Sequence, residues 1–169
     1  MFRLPIPDIS LRSVYELSPQ RLKALGVKLL LLDLDNTLAE YDESEPSPAL
    51  RRWLGDLRGA GIEPLIFSNS RGERPARFAK TLGITAVGRA RKPNPKKLLG
   101  LLEERGLCPG GAALAGDQVY TDVFCARRAG VLAICVRPLS LRAPQRALRY
   151  AFEAPFRLAG RMKGRPPRT

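Results

Sequence analysis

Lys28-Leu29-Leu30-Leu31-Leu32-Asp33-Leu34-Asp35-Asn36-Thr37 is the stretch that decides the fold. The apolar run from Val27 to Leu32 has the length of one buried strand and falls well short of the ~20 residues that cross a membrane. It ends abruptly in two carboxylates one residue apart. In open α/β sheets the ligand crevice lies beyond the carboxyl ends of the strands, where loops present side chains without disturbing the packed sheet. A buried strand with acids at its exit therefore predicts a site around Asp33 and Asp35. Read alone, the same residues are also turn chemistry, since Asp and Asn favour turns and Asn36-Thr37 can cap a helix. The rest of the chain has to choose between the two readings.

Upstream, Ser18-Pro19 opens a helix that Gly26 closes: Ser caps, Pro suits the first helical position, Gly suits the end. Residues 1–16 read as an irregular, partly extended arm, because Pro5 and Pro7 oppose an early helix. Downstream, Ser47-Pro48 opens a helix running to Gly61, with Leu50, Trp53, Leu54 and Leu57 on one face. Ile62 to Phe67 predicts a second strand, which exits at Ser68-Asn69-Ser70. A helix around Glu73 to Leu82 is closed by Gly83, and a short strand, Ile84 to Val87, follows. After Arg89-Ala90-Arg91-Lys92-Pro93, Asn94-Pro95 starts a helix with Leu98, Leu99, Leu101 and Leu102 as its apolar positions. Ala112 to Ala115 reads as a buried strand ending at Gly116-Asp117. A helix from about Val119 to Ala129 and a strand from Val131 to Val136 complete the pattern.

Strands alternating with helices through short links predict an α/β fold with a parallel sheet and helices on both faces. All strand exits then point one way, so Asp33, Ser68 and Asp117 converge on one rim. Joined by Asp35, Asn69, Lys92 and Asp122, they form an all-oxygen carboxylate set beside a hydroxyl, an amide and a lysine. Several carboxylates cannot all stay ionised together without a cation, and oxygen ligands favour Mg²⁺ over zinc or copper. Hydroxyl, amide and lysine beside that cation suit a phosphoryl group.

Composition narrows the chemistry further. The 169 residues suit one domain with a real core, and 44% apolar with 27% charged residues is the globular norm. The chain has no histidine, which excludes Ser-His-Asp and Cys-His nucleophiles and His-ligated zinc. Cys108, Cys125 and Cys135 are odd in number without C-x-x-C spacing, which fits a reducing cytosol and no disulfide framework. Gly106 to Gly116 is Gly-rich but lacks the fingerprints of a P-loop or a dinucleotide fold. The expected location is cytoplasmic, with no leader and no span.

Four elements in order carry a resemblance to a family. They are Asp33-Leu34-Asp35-Asn36-Thr37, Ser68 after an apolar strand, Lys92 before Pro93, and Gly116-Asp117-Gln118-Val119-Tyr120-Thr121-Asp122. Over residues 10–140 the sequence resembles the haloacid dehalogenase (HAD) superfamily phosphatases. Within them it is similar to the YqeG-like subfamily (HAD class IIIA), which is related to phosphatidylglycerophosphate phosphatases. The resemblance implies a Rossmann-like fold and a phosphomonoester hydrolase that forms an aspartyl-phosphate. In it Asp33 is the nucleophile, Asp35 the general acid and then base, and Ser68 and Lys92 the phosphoryl ligands. Mg²⁺ is held by Asp33, Asp117 and the main-chain carbonyl of Asp35, with Asp122 in the first or second layer of ligands. Neither the segment from Ala39 to Pro48 nor the stretch after Ser68 has room for a cap domain. Capless members resemble enzymes of large or surface-bound substrates, because nothing encloses a small molecule.

Charge is unevenly spread. The net charge is +13, of which the stretch from Arg137 onward, with Glu153 as its one acid, holds +8. The expected division is a phosphatase domain over residues 1–140, arm included, and a basic C-terminal helix and tail over 141–169. From Gln145 to Met162, Leu148, Ala151, Phe152, Phe156 and Ala159 lie at helical spacing while Arg146, Arg149, Arg157 and Arg161 supply cationic surface, with a break expected at Pro155. That is the composition of a helix on an anionic membrane face, and it predicts peripheral association at the inner face; together with the resemblance to phosphatidylglycerophosphate phosphatases, it implies a phospholipid monoester as substrate. Docking of the apolar face onto the sheet is the alternative. A reading of a different class is a nucleic-acid-binding or ribosome-associated protein with a vestigial phosphatase site; the lack of aromatic-basic alternation counts against base stacking.

Overall fold

The computed structural model describes residues 4–163, with side chains through residue 160. The sheet is six-stranded and parallel throughout, with β1 (Ile9–Leu11), β2 (Leu29–Leu32), β3 (Glu63–Phe67), β4 (Thr85–Val87), β5 (Ala112–Gly116) and β6 (Leu132–Val136). Its spatial order is β1-β6-β5-β2-β3-β4. The chain moves outward from β2 through β3 to β4, then returns to the other side of β2 for β5 and β6. That reversal opens a crevice at the exits of β2 and β5. The expected Rossmann-like architecture is present.

Alternation along β2 explains why one run of four leucines serves two layers. Leu30 and Leu32 pack with Ile66 beneath α1 (Pro19–Ala24), α2 (Pro48–Gly59) and α3 (Arg74–Leu82), represented by Leu22, Leu54 and Phe78. Leu29 and Leu31 pack with Leu65 and Phe67 against α4 (Lys96–Glu104) and α5 (Phe124–Ala129), through Leu98, Leu102 and Ala126. A strand buried on both faces reads as a continuous apolar run, as this one does. Trp53 sits in the core with its indole N–H donating to the Leu17 carbonyl at 3.0 Å. In α4, Leu98 and Leu102 are buried whereas Leu99 is 42% exposed, so the apolar face is narrower than its leucines suggest.

The structure refines three expectations. The N-terminal arm is more ordered than its prolines imply: Ile9–Leu11 forms an edge strand beside β6, and a short 3₁₀ turn follows at Val14–Glu16. The helix expected from Val119 to Ala129 is continuous over those residues, but its first turn, Val119–Val123, is a π turn that passes into α5. Asn36-Thr37 caps no helix; Asn36 takes a left-handed backbone with φ 67° in a turn.

The C-terminal segment forms α6 (Pro144–Phe152) and α7 (Ala154–Lys163), which break at Glu153 rather than at Pro155. Pro155 lies inside the first turn of α7, where its missing N–H costs nothing. Helix α7 lies against β1. A Cβ at Gly160 would fall 2.4 Å from the Pro7 ring, so a glycine is needed for that approach. Arg157 is not surface charge: its side chain is 11% exposed and pairs with Glu153 at 2.8 Å. The side chains of Arg161 and Met162 lie outside the described residues, as do residues 164–169 altogether. Among the described residues no helix is long and apolar enough to cross a membrane.

Candidate active site

The rim begins where β2 ends. The Asp33 amide still donates to the Ala115 carbonyl at 2.9 Å, so the ladder holds this residue before the chain turns. Lys92 Nζ lies 2.6 Å from Asp33 Oδ1 and 2.6 Å from Asp122 Oδ1, all three side chains being buried. Lys92 is delivered there by a zipper between the exits of β3 and β4. Ser68 N donates to Val87 O at 3.0 Å, Ala90 N to Ser68 O at 2.9 Å, and Arg89 N to Ser70 O at 2.9 Å.

Asn69 closes the zipper with both ends of its amide: Nδ2 donates to the Lys92 carbonyl at 3.0 Å and Oδ1 accepts the Lys92 amide at 2.8 Å. These bonds fix the lysine and leave one Nδ2 hydrogen of Asn69 free to donate. Ser68 Oγ accepts from Ser70 N at 3.1 Å, which leaves its hydroxyl proton to donate elsewhere.

From the other side of β2 come Asp117 and Asp122. The π turn brings Asp122 back beneath the end of β5, where Oδ2 accepts the Gln118 amide at 3.1 Å. There the Asp122 carboxylate occupies the space of a side chain at Gly116, since a Cβ would lie 2.3 Å from Asp122 Cγ. The glycine of the Gly-Asp pair is therefore a steric requirement of the aspartate six residues on. Thr37 Oγ1 stands 3.5 Å from both Asp33 Oδ2 and Asp117 Oδ1. Asn36 clips the segment after β6 onto the site, donating to Ser140 O at 3.0 Å and accepting Ser140 N at 2.8 Å.

Ligand oxygens of Asp33, Asp117 and Asp122 lie within 4.8 Å of one another. Burial is the chief reason that Asp33 is pushed up to about 8, with Asp122 and Asp117 adding to it and Lys92 opposing. Burial likewise pushes Asp117 up to about 7, helped by Asp122 and opposed by Arg149, Arg157 and Lys92. For Lys92 burial acts downward, but Asp122 and Asp33 together outweigh it and its value is raised. Lys92, with Arg149 3.6 Å from Asp117 Oδ2, does not offset the burial of three carboxylates, so Asp33 and Asp117 hold their protons well above the usual carboxylate range. Asp122 Oδ1, apart from its charge contact with Lys92, has no aligned hydrogen-bond donor. An all-oxygen cluster of this kind fits a hard divalent cation.

Asp35 stands beside this cluster rather than in it. Its Oδ1 accepts Arg74 Nε at 2.9 Å, and the same guanidinium donates to the Glu40 carbonyl at 2.6 Å and to that of Glu43. Arg74 thereby ties the acid to the loop between β2 and α2. No cap is inserted there, yet the rim is not bare. Arg146 lies over the Tyr41 ring at 4.0 Å, Arg149 reaches Asp117 Oδ2 at 3.6 Å, and Arg157 donates to the Asp117 carbonyl. The sequence reading missed Asn36, Arg74, Glu153 and the inward turn of Arg149 and Arg157. Asn36 alone left a signal, as an Asn where a left-handed turn was needed.

Comparison with known proteins agrees with this geometry. The haloacid dehalogenase-like hydrolase family profile matches residues 11–130. The chain is 33% identical over 135 residues to the "Probable phosphatase YqeG" of Bacillus subtilis, covering 80% of this chain and 78% of that protein. It is 31% identical over 147 residues to the chloroplastic phosphatidylglycerophosphate phosphatase 1 of Chlamydomonas reinhardtii, covering 81% of this chain but only 54% of that protein. The cobalt-bound deoxy-D-mannose-octulosonate 8-phosphate phosphatase of Haemophilus influenzae superimposes with a TM-score of 0.53 at 16% identity, over 84% of this chain and 93% of that one. At that identity the likeness is one of fold.

Proposed function

The chain belongs to the haloacid dehalogenase-like hydrolases and is a phosphatase of that family; from this premise we propose that it hydrolyses phosphomonoesters through an aspartyl-phosphate on Asp33, with Mg²⁺ as cofactor. The observation that carries the reading is the convergence of Asp33, Ser68, Lys92, Asp117 and Asp122 from four strand exits, with Lys92 in contact with the nucleophile. A carboxylate oxygen of Asp33 attacks phosphorus while Lys92 and the Ser68 hydroxyl bind the phosphoryl oxygens and offset the charge that grows on them. Asp35 gives a proton to the leaving oxygen as the ester bond breaks. It then takes a proton from water, which attacks the phosphorus and releases Asp33. Asn69 and Arg74 position Lys92 and Asp35. Asp33, Asp117, Asp122 and the main-chain carbonyl of Asp35 would hold Mg²⁺, whose bound charge neutralises the phosphoryl group and favours the ionised nucleophile.

For the substrate we infer a phospholipid monoester such as phosphatidylglycerophosphate. Two features support it: the relationship to a phosphatase of that lipid, and a rim without an inserted cap beside helices that expose Leu148, Phe152 and Leu158 at 61%, 67% and 61%. A peripheral membrane position at the cytoplasmic face follows from the same reading. The nucleic-acid alternative loses ground, because Arg149 and Arg157 are spent on the protein's own site.

The test is phosphate release with Mg²⁺ from lipid, sugar, nucleotide and phosphopeptide monoesters. EDTA is expected to abolish turnover, and Asp33→Asn to remove nearly all of it, since an amide neither attacks phosphorus nor supplies an anionic ligand. Unchanged turnover in Asp33→Asn would refute the covalent mechanism.

A further inference from the structure

Beside the carboxylate cluster, the exits of β3 and β4 enclose a second cavity of about 520 Å³ lined by Asn69, Arg71, Arg89 and Arg91. Its charge is wholly positive. None of these three guanidiniums has a carboxylate or carbonyl partner among the described residues, whereas Arg74, Arg105, Arg127 and Arg157 are each held by an acid. Three like charges around one concavity repel, and a solvated face would let them splay apart. Here the backbone holds them together at a cost: Arg89 and Arg91 sit at φ 49° and 61°, in the left-handed region that disfavours side chains larger than glycine.

The loop that carries them alternates its duties. Ala90 and Lys92 are buried, Lys92 against Asp33, while Arg89 and Arg91 are exposed. Asn69 belongs to both places, lining the cavity and holding the main chain of Lys92. An anion in the cavity is therefore one loop's width from the lysine that contacts the nucleophile. Guanidinium forks match phosphate oxygens with paired hydrogen bonds, and three of them around one space suit a group with several acceptor oxygens.

We propose that Arg71, Arg89 and Arg91 form a subsite for a second phosphate on the substrate molecule, so that the enzyme selects phosphomonoesters bearing another phosphate a few bonds from the one it removes. The proposal rests on the phosphatase reading above and adds to it a basis for choosing among substrates. Two measurements test it separately from that reading. In the first, kcat/KM is compared for glycerophosphoglycerol phosphate, which has a phosphodiester beside its monoester, and for p-nitrophenyl phosphate, which has none. The protein is the full chain and Arg71→Gln/Arg89→Asn, with Asn chosen because it tolerates the left-handed backbone.

The ratio of the two kcat/KM values is expected to fall about 10–100-fold in the variant, mainly through KM, as for loss of charged hydrogen bonds. In the second measurement, calorimetry follows binding of glycerophosphoglycerol, which carries only the diester. Binding is expected with Asp33→Asn and is expected to be lost when Arg71→Gln and Arg89→Asn are added. Equal thermal midpoints control for folding, and Arg71→Gln alone, at a position of ordinary backbone, gives the same direction should the double change unfold. An unchanged ratio with unchanged diester binding overturns the subsite and leaves the phosphatase standing. Absence of hydrolysis of either ester with diester binding lost in the variants sinks the phosphatase reading and supports the subsite.

Discussion

At the residue scale the governing fact is that Asp33, Asp117 and Asp122 are buried together with one lysine. Their ionisation then couples to folding. An unfolded aspartate ionises near 3.8, whereas folded Asp117 keeps its proton to about 7 and Asp33 to about 8. Between those values the folded chain binds more protons than the unfolded one. The stability these protons represent is intact below 3.8 and is lost as pH rises through 7 and 8. Lys92, raised above its ordinary 10.5, keeps its contribution throughout that window. In EDTA the melting temperature should therefore fall from about pH 5 to about pH 8, and saturating Mg²⁺ should flatten the fall by replacing the protons. A melting temperature in EDTA that climbs over the same range contradicts the site as described. Asp35 calls for a different experiment. In Asp35→Asn an oxygen remains to accept the Arg74 guanidinium, so position survives while the proton does not. The expected loss is about 10²–10⁴-fold in kcat with KM little changed, and a normal kcat would remove Asp35 from the mechanism. These residues were legible because each follows an apolar strand or lies in a short motif. The Arg74–Asp35 pair was not, since 39 residues separate its members and only the return of α3 beside the exit of β2 joins them.

Elements show where periodicity stops being informative. Helices α1 and α2 start at Ser-Pro pairs whose hydroxyls accept from Arg21 and Leu50 main-chain amides, a local device that sequence displays openly. The β1 strand is three residues long and the π turn five, too short for any repeat to register. The C-terminal pair was misread for a related reason: proline drew the break to 155, while a buried acid sets it at 153. Glu153 is fully buried between α6 and α7. Its Oε1 accepts the amides of Val119 at 2.9 Å and Tyr120 at 3.3 Å, and its Oε2 pairs with Arg157. One carboxylate thus fastens the tail to the turn that carries Asp122. Glu153→Ala leaves two main-chain donors and a mostly buried guanidinium without their partner, for an expected loss of about 3–5 kcal/mol by urea denaturation. Glu153→Gln, which keeps an acceptor for the two amides, should cost less. Equal stability of the alanine variant and the parent would show that α6 and α7 are not fastened through this residue.

On the scale of the whole molecule, the question is where the charge of the basic tail faces. Sequence placed Arg146, Arg149 and Arg157 on one cationic surface; the fold turns them toward Tyr41, Asp117 and Glu153. A one-dimensional pattern could not foresee this, because the anions that attract them arise only when the strand exits converge. The inward turn leaves α6 with Leu148 and Phe152 on its outer side, one helical turn apart and more than half exposed, with Leu158 of α7 also exposed. If α6 lies on a membrane through that side, Arg149 of the same helix, 3.6 Å from Asp117, keeps the carboxylate cluster beside the bound helix. Arg142, exposed just before α6, would add about 1 kcal/mol near an anionic surface. Shortening the chain is a poor test, since α7 packs on β1 and its removal would strip part of the fold. Leu148→Glu/Phe152→Glu instead changes only exposed side chains. The parent should sediment with anionic liposomes at low salt, less at high salt as screening grows, and little with neutral ones. The double variant should stay in the supernatant with its melting temperature near that of the parent. Equal sedimentation of the two proteins would move the contact away from α6, and failure of both to bind would remove the membrane role while leaving the chemistry at Asp33 intact.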